Sequence, residues 1–260
     1  MNIFMSETYD IGKAHQKTIR EERSDNAASE NLFGAWWEDI DTDIKKAEIR
    51  EISYATAEAV ILEYEWLGCM PAMVEICYGI YWGDACGGVV VYGTEYSENL
   101  GTWDKYDYSG KIILLARGAC VHWAHPHSGS KLIRESMKML PDRYEVVTCT
   151  TDHAAGEIGT IYQACGFDYV GSMRESNPNV KSKKLDRLGV KINGKIYGSR
   201  AIRQKIGSQK KENILKHWPD AEFVPQHSKH RYFAFRGSKV QKKNNRKAIA
   251  HLVKPYPKRK

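Results

Sequence analysis

A mixed α/β fold, a central sheet flanked by helices, is predicted by three observations. Apolar runs rich in β-branched and aromatic residues recur at 73–82, 86–92, 111–123, 144–151 and 167–172, the signature of buried strands. Between the later runs, residues 128–140 and 157–165 carry apolar residues at helical spacing. The resulting order β, β, β, α, β, α, β joins some strands by short links and others through helices, so the sheet holds both antiparallel and parallel neighbours.

Residues 1–50 are polar and mixed in charge, and Glu21-Glu22-Arg23-Ser24-Asp25-Asn26 suits no core element; a loosely ordered arm with a short helix near 40–49 is expected. Thr56 is a plausible N-cap for a helix over 57–67, with Val60, Ile61, Tyr64 and Leu67 on one face and Gly68 as its stop. Gly83-Asp84-Ala85 links two strands as a hairpin, and Gly87-Gly88 suits a bulge at the start of the second. In the strand over 111–123, Ile112 to Leu115 form a continuous apolar run that Pro126 ends. The following helix places Leu132, Ile133, Met137 and Leu140 on one face.

Beyond Pro178, Asn193-Gly194 predicts a hairpin turn within 190–197. Short helices are expected over 199–206, closed by Gly207, and over 210–218, with an aromatic strand over 231–235 and an extended basic tail over 239–260. The expected organisation is a polar arm (1–50), an α/β core (51–175) and a basic extension (176–260).

The chain has 260 residues, 42% of them hydrophobic, enough for a sizeable interior. Neither a bilayer-spanning apolar run nor the apolar core of a secretion signal is read in it, so a cytoplasmic protein without membrane partners is expected. The six cysteines stand singly, which fits buried thiols better than disulfides or zinc ligands; no metal site is expected. Charge is uneven. Residues 171–260 hold 25 Lys or Arg against 5 Asp or Glu, which leaves 14 against 27 for residues 1–170. Such an excess interleaved with Tyr197, Trp218, Tyr232 and Phe233 points to nucleic acid rather than to solvation alone.

The densest chemistry lies in Cys149-Thr-Thr-Asp152 and Gly156-Glu-Ile-Gly159-Thr-Ile-Tyr162-Gln163. Asp152 falls at the C-terminal edge of a strand, where open α/β sheets bind ligands, and Tyr162 follows one turn into the next helix. Gly156 and Gly159 allow close backbone approach. The same residues also fit a second reading, in which Asp152 caps a helix and Tyr162 is a core aromatic.

Gly159-Thr-Ile-Tyr162-Gln163-Ala164, with Asp152 ten positions before the tyrosine, resembles the Mom family of phage DNA-modification proteins. Further blocks agree with that family: Trp66-Leu-Gly-Cys-Met-Pro71, Pro126-His-Ser-Gly-Ser130, Gly194-Lys-Ile-Tyr-Gly-Ser-Arg200, and Lys229-His-Arg-Tyr232 followed by Pro255-Tyr-Pro-Lys258. The similarity runs from about Ala55 to the C-terminus. It implies a Gcn5-type acetyltransferase-like fold and the addition of a carbamoylmethyl group to adenine N6 in double-stranded DNA, a mark that hides phage DNA from host restriction.

Catalytic roles then fall to Asp152, as base or hydrogen-bond acceptor for N6–H, and Tyr162, as donor to the leaving group or the acceptor amine. Ser128, Gly129 and Ser130 stand where related acetyltransferases hold a pyrophosphate on backbone N–H groups, although the two serines also suit helix caps. Arg117 orients a phosphate or carboxylate, or pairs with an acid. Tyr64 and Trp66 line the cleft or stack on an extruded base, core packing being the alternative for Tyr64; Glu65 stands beside Trp66 where the family has histidine beside tyrosine. Gly156, Gly159 and Gln163 complete the expected substrate contacts, and Arg200, Lys229, Arg231 and Tyr232 the DNA contacts. The cofactor is left open: an acyl-CoA-like donor, or another activated glycine or acetamide donor of small-molecule or aminoacyl type. A conventional N-acetyltransferase acting on a small amine or protein is the competing reading.

Overall fold

The computed structural model describes residues 6–30, 36–95, 102–172, 188–225 and 229–260. A short strand β1 (Thr8–Tyr9) and helix α1 (His15–Glu30) precede β2 (Glu48–Ile52), helix α2 (Tyr54–Tyr64) and the hairpin β3 (Val74–Trp82) and β4 (Ala85–Gly93). Then come β5 (Ile112–Cys120), α3 (Ser128–Met139), β6 (Val146–Thr151), α4 (Thr160–Ala164) and β7 (Asp168–Ser172). The C-terminal part adds β8 (Leu188–Ile192), β9 (Lys195–Tyr197), α5 (Ser199–Ile206), α6 (Lys211–His217), β10 (Glu222–Pro225), β11 (His230–Phe235), α7 (Lys239–Ala248) and β12 (Lys258–Arg259).

The expected mixed sheet is present, with seven strands in the order β2-β3-β4-β5-β6-β11-β7. Its strands are antiparallel except for β5 and β6, whose crossover is α3. Leu132 and Ile133 on α3 and Ala57 and Ile61 on α2 pack into one core with Val89, Val91, Ile113, Leu115 and Val147. Gly87 is the extra residue of a bulge, because Ile80 pairs with Gly88 while Tyr81 pairs with Cys86. Asn193 and Gly194 both have positive φ, 48° and 77°, as a two-residue hairpin turn between β8 and β9 requires.

Several sequence expectations are corrected. Residues 15–30 form a helix, not a loose arm, and 48–52 form an edge strand of the main sheet in place of a helix near 40–49. Its two apolar residues, Ile49 and Ile52, stand three apart and so on opposite faces of the strand, and both are partly buried against the core. Ser53, not Thr56, caps α2: its side chain accepts the Thr56 N–H, and the helix ends at Tyr64. The basic tail is not extended throughout, since Ser238 and Gln241 form a capping box that starts α7. Its last residues pair with the N-terminal segment, Lys258 N–H donating to Glu7 O at 2.8 Å and Lys260 N–H to Tyr9 O at 3.0 Å. A division of the chain at about residue 175 also separates strands that the sheet joins, because β11 sits between β6 and β7.

A second, three-stranded sheet β10-β8-β9 packs with α5 and α6 around Val190, Ile202 and Ile214. It docks on the loop after α2, where Gln204 Nε2 donates to Met70 O at 3.0 Å and the Tyr197 ring lies 6.3 Å from Trp66. No helix among the described residues is long and apolar enough to cross a membrane.

Candidate active site

The parallel pairing of β5 and β6 extends only from Ile112, Ile113 and Leu114 to Val146, Val147 and Thr148. Beyond Leu114 the strands part. The register shift opposite Val91 and Tyr92 makes Ala116 a bulge that turns β5 toward β4, while β6 stays paired with β11 as far as Thr151. A cavity of about 400 Å³ occupies the split. Its floor is apolar, with Val89, Val90, Leu132 and Ile133, and its rim brings together Glu65, Arg117, Asp152, Glu157, Tyr162 and Lys229.

Asp152 directly follows β6 and caps the next 3-10 turn, its carboxylate accepting the Ala154 N–H at 3.0 Å. Lys229 Nζ lies 3.8 Å from the other carboxylate oxygen. The cap anticipated for Asp152 is present, and the same residue borders the cavity. Tyr162 lines the same cavity, and its ring packs 5.5 Å from Phe167 and 5.7 Å from Tyr232. Burial, aided by Cys149 and Glu157, holds its phenol well above the usual range, so it acts as a hydrogen-bond donor at neutral pH. Its hydroxyl reaches the Cys149 thiol, whereas the Asp152 carboxylate meets Ala154 N–H and Lys229.

The glycines have separate reasons. Gly159 has φ 72°, and a Cβ there would lie 2.6 Å from the Tyr232 ring. Gly156 has φ 71°, and its Cβ would meet the carbonyl oxygens of Gly12 and Lys13 at 2.7 Å. These two left-handed residues also explain why α4 starts at Thr160, after the expected position near Glu157.

Gly129, Trp66 and Arg117 line the cavity as expected. Arg117 is held by the carbonyls of Cys69 (Nε, 3.1 Å) and Ala116 (2.7 Å), with Glu65 at 3.9 Å. Ser128 and Ser130 are not among the lining residues; their hydroxyls donate to His125 O at 2.6 Å and His127 O at 3.0 Å. Ser128 is fully buried, so these side chains bind loop carbonyls instead of a donor. Tyr64 turns its hydroxyl to His122 Nδ1 at 2.9 Å, and Gln163 spans to Ile158 O at 3.0 Å; both are core and turn contacts, away from the cavity lining.

The DNA-contact expectation fails for two residues. Arg231 is 2% exposed, held by Glu95 and Thr148 Oγ1, each at 3.1 Å, under the Trp103 ring. Tyr232 is fully buried and donates its hydroxyl to Ile158 O at 2.5 Å. Burial as part of a sheet interior removes both from any phosphate. Lys229 remains at the cavity rim, and the Arg200 side chain lies outside the described residues.

Two carboxylates went unassigned in the sequence. Glu65 is 8% exposed, and burial raises its pKa against the pull of Arg117. Glu157, between the two glycines, is pushed up to about 7 by burial and by Glu65, with Lys229 opposing. Its position in Gly156-Glu-Ile-Gly159 was a signal. The wall from α1 was not legible: Ala14, Gln16, Lys17 and Arg20 line the cavity. Gln16 clamps the backbone after α2, donating to Tyr64 O at 2.6 Å and accepting from Trp66 N–H at 3.2 Å. Lys17, Arg20, Arg117 and the backbone at Gly129 together suit an anionic donor group.

The motif blocks at 66–71, 126–130, 159–164 and 229–232 therefore each place a residue on the cavity in the split. A family model of the Mom protein family matches residues 46–258. The chain belongs to the Mom protein family. Of the lining residues, those on α1 precede the part that matches the Mom model, whereas Asp152, Glu157, Tyr162 and Lys229 fall inside it. No curated protein matches the sequence. Among solved structures, this Mom family member is similar to a Bacillus subtilis acetyltransferase in complex with CoA, at 11% identity and a TM-score of 0.36 over 74% of this chain and 99% of that one. It is likewise similar to a GNAT family acetyltransferase from Elizabethkingia anophelis with acetyl-CoA bound (9%, 0.39, 74% and 99%). A third is an N-acetyltransferase from Staphylococcus aureus Mu50 (11%, 0.39, 73% and 97%).

Proposed function

We propose that this protein is a transferase that adds a carbamoylmethyl group to adenine N6 in phage DNA, within the host cytoplasm, and so shields that DNA from restriction. The observation that carries the reading is the cavity in the sheet split, which gathers Asp152, Glu157 and Tyr162 in a chain of the Mom family. A base inside duplex DNA reaches such a cavity only when it is extruded, at a cost of about a few kcal/mol. Exposed Arg203, Lys205, Lys210, Lys211 and Lys216 on the smaller sheet's helices, and Lys239, Lys242, Lys243 and Lys247 on α7, supply phosphate contacts that offset this cost.

In the cavity, the Asp152 carboxylate accepts a hydrogen bond from N6–H and aims the amine at the donor, its own direction fixed by Ala154 N–H and Lys229. The N6 lone pair forms a bond to the donor carbon that carries the leaving group. That carbon's bond to the leaving group breaks, and the Tyr162 hydroxyl donates a hydrogen bond to the departing atom. The cations of α1 and Arg117 hold the anionic part of the donor.

Expression with plasmid DNA, digestion to nucleosides and mass spectrometry test the assignment. A new deoxyadenosine species is expected from the wild type. Asp152→Asn and Tyr162→Phe should lower it by about 100-fold or more while DNA retention stays intact. Unmodified DNA from soluble wild-type protein, together with acetylation of small amines in the same extract, would instead establish the conventional N-acetyltransferase.

A further inference from the structure

The cavity rim holds more carboxylates than the Asp152 read from the sequence, and Asp152 and Glu157 differ in kind. Asp152 is committed on both oxygens, one to a cap and one to an ammonium. Glu157 enters the cavity from the turn between two left-handed glycines. Its neighbours are Glu65 from the end of α2, Lys229 ahead of β11, Asp152 at the end of β6 and Tyr162 on α4. Its backbone N–H is fixed to Asp152 O at 3.2 Å, which ties it to the residue that aims the amine. Lys17 and Arg20 of α1, Arg117 of β5 and Arg259 of β12 complete the charged lining.

We propose that Glu157 is the general base of the transfer, taking the proton that adenine N6 loses as its bond to the donor carbon forms. The inference rests on the reading of the site as an adenine N6 transferase and assigns that site its proton acceptor. As the N6–C bond forms, one N6–H proton passes to the Glu157 carboxylate. The electron pair of the broken bond leaves with the donor's leaving group, an activated glycine- or acetamide-type donor being the co-reactant. Asp152 keeps its hydrogen bond to the second N6–H and is not consumed. A carboxyl that titrates near neutrality suits this task, because it is ionised often enough to accept and basic enough to hold the proton. Burial and the Glu65 charge put Glu157 in that range.

The test uses the full chain. Purified protein and plasmid DNA are incubated in undialysed cell extract as the donor source, buffered over roughly pH 5.5 to 9, and the modified deoxyadenosine is counted by mass spectrometry. Wild-type rate should rise with pH through a limb near 7. Glu157→Gln should lose about 100-fold or more and lose that limb, while Asp152→Asn loses rate and keeps the limb. Glu157→Asp covers the case of a poorly folded Gln variant: a partial rate with a displaced limb is expected. Wild-type-like rate and limb in Glu157→Gln overturn the base assignment and leave the transferase reading standing; an inactive wild type overturns both.

Discussion

Arg231 and Lys229 stand two residues apart at the start of one strand, each facing an acid, in opposite surroundings. The Arg231–Glu95 pair is 2% and 4% exposed, hydrogen-bonded to Thr148 and Trp103 and roofed by the Trp103 ring. The Lys229–Asp152 pair is 36% and 12% exposed, 3.8 Å apart, and borders a cavity. One pair is enclosed, and its charges are spent on the fold. The other pair is longer and borders the cavity, where a substrate can reach it. Basic residues in a motif thus divide by how completely their surroundings answer them.

The largest expected effect breaks the closed pair. Arg231→Ala leaves Glu95 buried without its guanidinium, a change that generally costs about 3–5 kcal/mol. Chemical denaturation should report it as a drop in midpoint at unchanged slope. A fully stable Arg231→Ala with weakened DNA binding would restore the reading of Arg231 as a phosphate contact.

Next in size is a stabilisation. The folded-state pKa of Glu157 is raised from 4.5 to about 7, so the unfolded chain releases this proton at lower pH than the folded one. Stability is therefore lost as pH rises between these values and the loss is constant above. Glu157→Gln should gain at most about 3 kcal/mol near pH 8 and nothing near pH 4. Denaturation of both proteins across that range checks it; equal stability at every pH would place Glu157 in water. The gain at the cost of activity is the usual mark of a site held in a strained charge state.

How much of this was legible follows from the range of each signal. The α3 face, the Gly87 bulge and the Asn193-Gly194 turn are local, and each is written within a few residues. Asp152 and Tyr162 both border the cavity, but the Tyr162 hydroxyl reaches Cys149 and not Asp152, a direction the sequence does not carry. Arg231 was misread because its partner Glu95 lies 136 residues away, and a basic residue in a cationic segment says nothing of a distant acid. Strand β11 was recognised as a strand, but its insertion between β6 and β7 is a tertiary fact. Helix α1 has few apolar residues and attaches through Gln16 and Arg20 to backbone carbonyls, contacts that leave no periodicity. The Ser238–Gln241 capping box of α7 was present in the sequence and was outweighed by the density of lysine around it.

The smallest effect on stability sharpens the comparison most. Lys229→Ala removes a partly exposed ion pair at long range, which generally contributes about 1 kcal/mol or less, so its denaturation midpoint should sit close to that of the wild type. Its effect on the cavity is larger than its effect on the fold. Lys229 opposes the upward push of burial and Glu65 on Glu157, so its loss should move the limb of the modification rate to higher pH, and Asp152 should hold N6 less firmly. A variant that is as stable as the wild type but modifies DNA slowly, with a displaced limb, marks charges kept for chemistry. A variant that unfolds readily and keeps the limb in place would make Lys229 the counterpart of Arg231, and the distinction between the two pairs would be lost.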